Sequence, residues 1–123
     1  MKYLKTIFFI FNFSLIIFYL YPGSIFGCFF FEDCLKQPVL TRDFIISSNH
    51  FYTFFLLSIF GYFAYQNKKK KIFIYLFLIS IILELFHLFI PNRSFQFSDL
   101  FGNMFGILIF LAILNLINFW KKK

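Results

Sequence analysis

Glu84 and His87 fall on one face of a helix if the apolar stretch around them is helical, because i and i+3 positions line up. Asp99, Asn103 and Gly106, at i, i+4 and i+7, line up in the same way on the next stretch. Arg93 lies between the two sets in the turn PNRSFQFS, where its long side chain can fold back toward Glu84 or Asp99. His50 opens an earlier apolar run and can join them at the same level. A carboxylate beside an imidazole can move a proton, and a guanidinium can hold a phosphate or carboxylate. Glu84, His87 and Asp99 are therefore the candidate catalytic groups, and Glu84, Arg93, Asp99, Asn103 and His50 the candidate ligand-binding set. The Glu-x-x-His spacing also serves metal ligands in helical bundles. A single such pair completes no dimetal site, so neither metal nor cofactor is expected.

The elements that position these groups must suit a chain that is 61% hydrophobic, 27% aromatic and only 14% charged. Soluble domains carry about a quarter charged residues, so the expected solvent is bilayer hydrocarbon. The net charge of +7 does not indicate nucleic acid, because the basic residues sit in short runs at the ends of apolar segments. Membrane lipids are the expected surroundings instead.

The pattern predicts an all-α integral membrane protein with four transmembrane helices, over about Thr6 to Tyr21, Asn49 to Gln66, Ile72 to Ile90 and Leu100 to Trp120. The organisation expected is an N-terminal helix with an aromatic, cysteine-bearing loop over residues 1–45, a three-helix unit over 46–120 and a basic tail over 121–123. Basic loops resist translocation, so Lys2, Lys5, Lys68 to Lys71 and Lys121 to Lys123 should be cytoplasmic, as should both termini. That leaves Lys36, Arg42 and Arg93 outside and turns the polar cluster to the extracytoplasmic side of the membrane.

Each feature has a plainer structural reading. Glu84 with Arg93 can be an interhelical clasp, and Asp99 an N-cap. Gly102 and Gly106 form a G-x-x-x-G step that lets a neighbouring backbone approach, expected here to be the third helix. Cys28 and Cys34 flank FFFED in the first outer loop, where an oxidising compartment lets them pair. Residues 25–28, IFGC, approximate a lipoprotein cleavage box, but an uncleaved first helix is the expectation.

The order Glu84, His87, Pro91, Arg93, Ser94, Ser98, Asp99, Asn103, Gly106, with His50-Phe51 heading an earlier helix, resembles the VanZ-like family of small bacterial membrane proteins. The resemblance covers about residues 46 to 112. It departs at His87, where the family usually has glutamine, and at residues 46–49, where an Asp-Lys is missing before His50. The resemblance implies a cell-envelope protein linked to glycopeptide antibiotic resistance, notably to teicoplanin and other lipid-bearing drugs. No established reaction comes with it.

Three readings compete. In the first, a non-enzymatic protein binds an amphiphile, either a lipoglycopeptide or an envelope lipid, at the outer cluster, with the Phe29 to Phe31 loop holding the lipid part. In the second, a membrane enzyme acts on a lipid-linked envelope precursor with Glu84 as acid or base. In the third, the cluster only locks two helices of a scaffold together.

Overall fold

The computed structural model describes residues 2–123. Among the described residues the regular structure is entirely helical: α1 (Lys2–Leu20), α2 (Ile25–Phe31), α3 (Ser48–Ala64), a single 3-10 turn (Gln66–Lys68), α4 (Lys69–Phe86) and α5 (Phe97–Lys121). α1 is a run without Gly or Pro that ends just before Pro22 and Gly23, the latter at φ +111°. α4 stops at Phe86, short of the expected Ile90. The following residues close as tight turns, with Leu88 N bonded to Leu85 O and Phe89 N to Phe86 O. Pro91 disfavours helix in the residue before it, and Asn92 takes a left-handed φ of 61° to redirect the chain.

Among the described residues, α1 and α5 are the two helices long and apolar enough to cross a membrane. α3 has only 17 residues, and α4 carries Lys69, Lys70, Lys71 and Glu84 within its 18. Length and composition therefore qualify two helices, where the sequence pattern predicts four.

The helices bury one apolar seam along the bundle, with Phe8 and Leu15 of α1, Phe54 and Leu57 of α3, Leu76 and Leu83 of α4 and Ile107 of α5 in a single cluster. The outside is equally apolar: Phe9, Phe13, Leu78, Phe105, Leu116 and Trp120 are all exposed.

The glycine step of α5 packs on α3, and not on α4 as its place in the chain suggests. A Cβ at Gly102 would stand 2.7 Å from Ser47 O, and one at Gly106 would stand 2.5 Å from Phe51 O and 2.8 Å from Phe55 N. Small residues here permit backbone-to-backbone approach. A bond from Ser47 N to Ser98 O (3.0 Å) ties the starts of the same two helices. The two helices thus run in parallel, so His50 and Asp99 lie side by side.

The first loop is more ordered than its prolines and charges predict. It contains α2, whose first turn is capped by Ser24 Oγ accepting from Gly27 N (2.9 Å), and a disulfide joins Cys28 to Cys34. Farther along, Asp43 Oδ1 accepts from Ser48 N (2.7 Å) and Asn49 Nδ2 donates to Pro38 O (2.6 Å), stitching the loop to the first turn of α3.

Candidate functional site

All four long helices deliver polar side chains to one end of the bundle. α1 brings Tyr19 near its end, α3 brings His50 at its start, α4 brings Glu84 with His87 just beyond it, and α5 brings Asp99 and Asn103 in its first turns. Glu84 and Asn103 have no exposed surface and His87 retains 2%. The lysines at the starts of α1 and α4 and at the end of α5 lie at the opposite end.

Glu84 and His87 do share a helix face, with Glu84 Oε2 3.3 Å from His87 Nδ1. Glu84 Oε1 accepts from Gln96 N (2.9 Å), the residue that opens α5, so its negative charge sits where the exposed N–H groups of that helix favour it. Asp99 is in the first turn of α5 but is not its N-cap, a position held by Gln96. Asp99 Oδ2 lies 3.5 Å from His50 Nε2. His50 therefore belongs to the cluster.

Arg93 takes other partners than the sequence predicts. Among the described residues the close acid–base pairs are the two His–carboxylate pairs, and Arg93 bonds to neither acid. Its Nε donates to Tyr21 O (3.3 Å) and its Nη2 to Phe18 O (3.1 Å), at the end of α1. With the Gln37 amide turned to present its oxygen, both Nη atoms also donate to Gln37. A cation at a helix C-terminus satisfies carbonyls that have no partner in the helix and opposes their partial negative charge. Partial burial lowers the Arg93 pKa from its ordinary value, against the pull of Tyr19, Asp99 and Glu84, and the side chain remains a cation. Arg93→Ala should strip the main-chain acceptors and cost about 1.5–3 kcal/mol. Thermal unfolding of the detergent-solubilised protein checks this, with Arg93→Lys recovering part of the loss; an unchanged midpoint in Arg93→Ala would contradict it.

Tyr19, which the sequence reading does not single out, links both pairs. Its hydroxyl donates to Asn103 Oδ1 (2.7 Å) and meets His50 Nδ1 (2.7 Å). Its main-chain oxygen meets His87 Nε2 (3.1 Å), and its ring stacks on His87 at 5.7 Å between centroids. A phenol has one proton, so where the hydroxyl donates to Asn103 Oδ1 it accepts from a proton on His50 Nδ1. A carbonyl only accepts, which places a proton on His87 Nε2. One residue thus sets the orientation of both imidazoles.

Two cavities meet at this cluster. One of about 450 Å³ is largely apolar, with Leu15, Phe18, Ile25, Phe26 and Phe30 in its wall. The other, of about 280 Å³, is polar, with Asp43, Asn92, Ser94, Gln96 and Asp99 in its wall. His50, His87 and Arg93 line both, as do Gln37 and Asn49.

These features define a class: an all-helical, apolar-surfaced bundle closed at one end by a buried carboxylate–imidazole cluster. The chain matches the VanZ/LLP1 family over residues 2–118 and belongs to that family. The match takes in α1 and α2 as well as the stretch from His50 to Gly106. No curated protein and no solved structure matches the chain.

Proposed function

We propose that this VanZ-family protein lies in the bacterial inner membrane and binds an amphiphile at the outer leaflet, lowering the effect of lipid-bearing glycopeptides of the teicoplanin type. The observation that carries the reading is the pair of adjoining cavities that share His50, His87 and Arg93. The apolar cavity suits an acyl chain, and its volume lies within the roughly 300–1,000 Å³ of small-molecule sites. The polar cavity suits a head group with hydrogen-bonding and charged parts, whether on a lipoglycopeptide or an envelope lipid.

Membrane insertion by all four long helices is supported by the exposed Phe, Leu and Ile side chains around the bundle. α3 spans about 26 Å at 1.5 Å per residue, close to the roughly 30 Å of hydrocarbon. Lys69 to Lys71 at the start of α4 can extend to the interface. The lysine-rich end is then cytoplasmic and the cluster external, where the Cys28 to Cys34 disulfide suits an oxidising compartment. The exposed Phe29, Phe30 and Phe31 of α2 would rest on the outer membrane surface beside the apolar cavity.

A drug-susceptibility profile tests the reading. Cells producing the protein should tolerate more of an acyl-bearing glycopeptide and no more of an acyl-free one. Phe26→Asp, which puts a charge in the apolar wall, should remove the protection at equal protein level. Equal protection against both drugs, or full protection by Phe26→Asp, would overturn it.

A further inference from the structure

We infer that His50, Glu84 and Asp99, each giving one side-chain donor atom, form a binding site for a first-row divalent cation such as Zn²⁺ or Mn²⁺. The Glu-x-x-His spacing did not indicate it, because His50 and Asp99 are added to Glu84 from two other helices.

The first support is position. The ligand atoms of these three residues all lie within 4.8 Å of one another. Protein ligands stand about 2.0–2.2 Å from such an ion, so each atom moves less than about 1 Å to reach a common centre. One imidazole and two carboxylates, with no thiolate, is a donor set for Zn²⁺ or Mn²⁺.

The second support is a set of buried atoms without partners. Tyr19 holds the proton of His50 on Nδ1, so neutral His50 turns the lone pair of Nε2 toward Asp99 Oδ2, 3.5 Å away. His87 Nε2 meets Tyr19 O, and its other ring nitrogen, Nδ1, stands 3.3 Å from Glu84 Oε2. Glu84 Oε2, His87 Nδ1 and Asn103 Nδ2 are fully enclosed and make no hydrogen bond, although unpaired buried polar atoms are costly. A cation held by His50, Glu84 and Asp99 would place positive charge beside the buried Glu84 carboxylate, whose Oε2 lacks a hydrogen-bond partner. The hydrogen bond from the far nitrogen of His50 to Tyr19 is the outer-shell contact that metal-bound histidines commonly make.

Three protein ligands leave coordination positions free, and His50 and Asp99 border the polar cavity. The ion would there meet water or an anionic group of a bound molecule. The inference goes beyond the amphiphile reading and does not depend on it, since a shared proton in each pair leaves that reading intact.

The test uses the full chain, purified in detergent, stripped with a chelator and titrated with Zn²⁺, Mn²⁺ or Mg²⁺ in the absence of any glycopeptide. The expected result is saturable binding of one Zn²⁺ or Mn²⁺ per chain, a raised unfolding midpoint, and weak response to Mg²⁺. Affinity should fall about tenfold or more in His50→Ala, Glu84→Gln and Asp99→Asn, and stay at the wild-type level in Asp33→Asn, an exposed acid of the first loop. If His50→Ala does not fold, the near-isosteric Asp99→Asn decides. No saturable binding by the wild type, or wild-type affinity in Asp99→Asn, would overturn the inference.

Discussion

Replacing Gly106 with valine should separate α3 from α5 and leave little folded protein in detergent. Even alanine should destabilise. Alanine improves helix propensity over glycine by about 1 kcal/mol, which opposes the packing effect. Its Cβ, however, would stand 2.5 Å from Phe51 O and 2.8 Å from Phe55 N, and both are main-chain atoms that no side-chain rotation can move aside. Overpacking typically costs about 1–3 kcal/mol, so the clash outweighs the propensity gain at alanine, and valine adds two methyl groups to it. Displacing α5 also carries Asp99 and Asn103 away from His50 and Tyr19. Thermal unfolding measures the effect; a higher midpoint in Gly106→Ala would show that the two helices do not touch there.

Tyr19→Ala should be the most damaging single change in α1. It removes a buried ring packed against His50, His87 and Phe54, and it leaves His50 Nδ1 and Asn103 Oδ1 without their hydroxyl partner. Truncating a buried aromatic costs about 3–5 kcal/mol. Tyr19→Phe keeps the ring and the main-chain bond to His87 and loses only the hydroxyl. Its cost should be about 1–3 kcal/mol, softened because His50 Nδ1 remains 3.1 Å from Asn103 Oδ1. Unfolding midpoints ordered wild type, Tyr19→Phe, Tyr19→Ala check this; a Tyr19→Ala protein as stable as wild type would contradict the role given to Tyr19.

Residue type and depth made much of the cluster legible. Glu84 and Asp99 are ionisable groups in an apolar chain, and helical spacing places Glu84 with His87 and Asp99 with Asn103 and Gly106. Tyr19 was not legible, because a tyrosine at the end of an apolar helix is also the ordinary occupant of a membrane interface. Its meaning depends on α1 ending level with the starts of α3 and α5. The partners of Arg93 were missed for the same reason. Charge points it to the nearest acids, while the unpaired carbonyls at the end of α1 carry no mark in sequence. Chain order suggested that α5 packs on its neighbour α4, but backbone clearance at Gly102 and Gly106 is matched by α3. α2 is too short, at seven residues, for a periodic pattern, although Ser24 is a residue type suited to its N-cap.

The position of the His50-bearing turn also depends on contacts that no motif announces. Asp43 and Asn49 fasten the long loop over the start of α3, and Gln37 reaches Arg93 from the same loop. The wall shared by the two cavities is thus built by segments far apart in the chain.

The most direct measurement for the amphiphile reading is equilibrium binding to the full chain in lipid nanodiscs, using an acyl-bearing glycopeptide and the same drug with its acyl chain removed. Wild-type protein should bind the acylated drug saturably and the deacylated one far more weakly, and Phe26→Asp should lose the difference. Equal binding of the two drugs by the wild type, or saturable binding of neither, would contradict it.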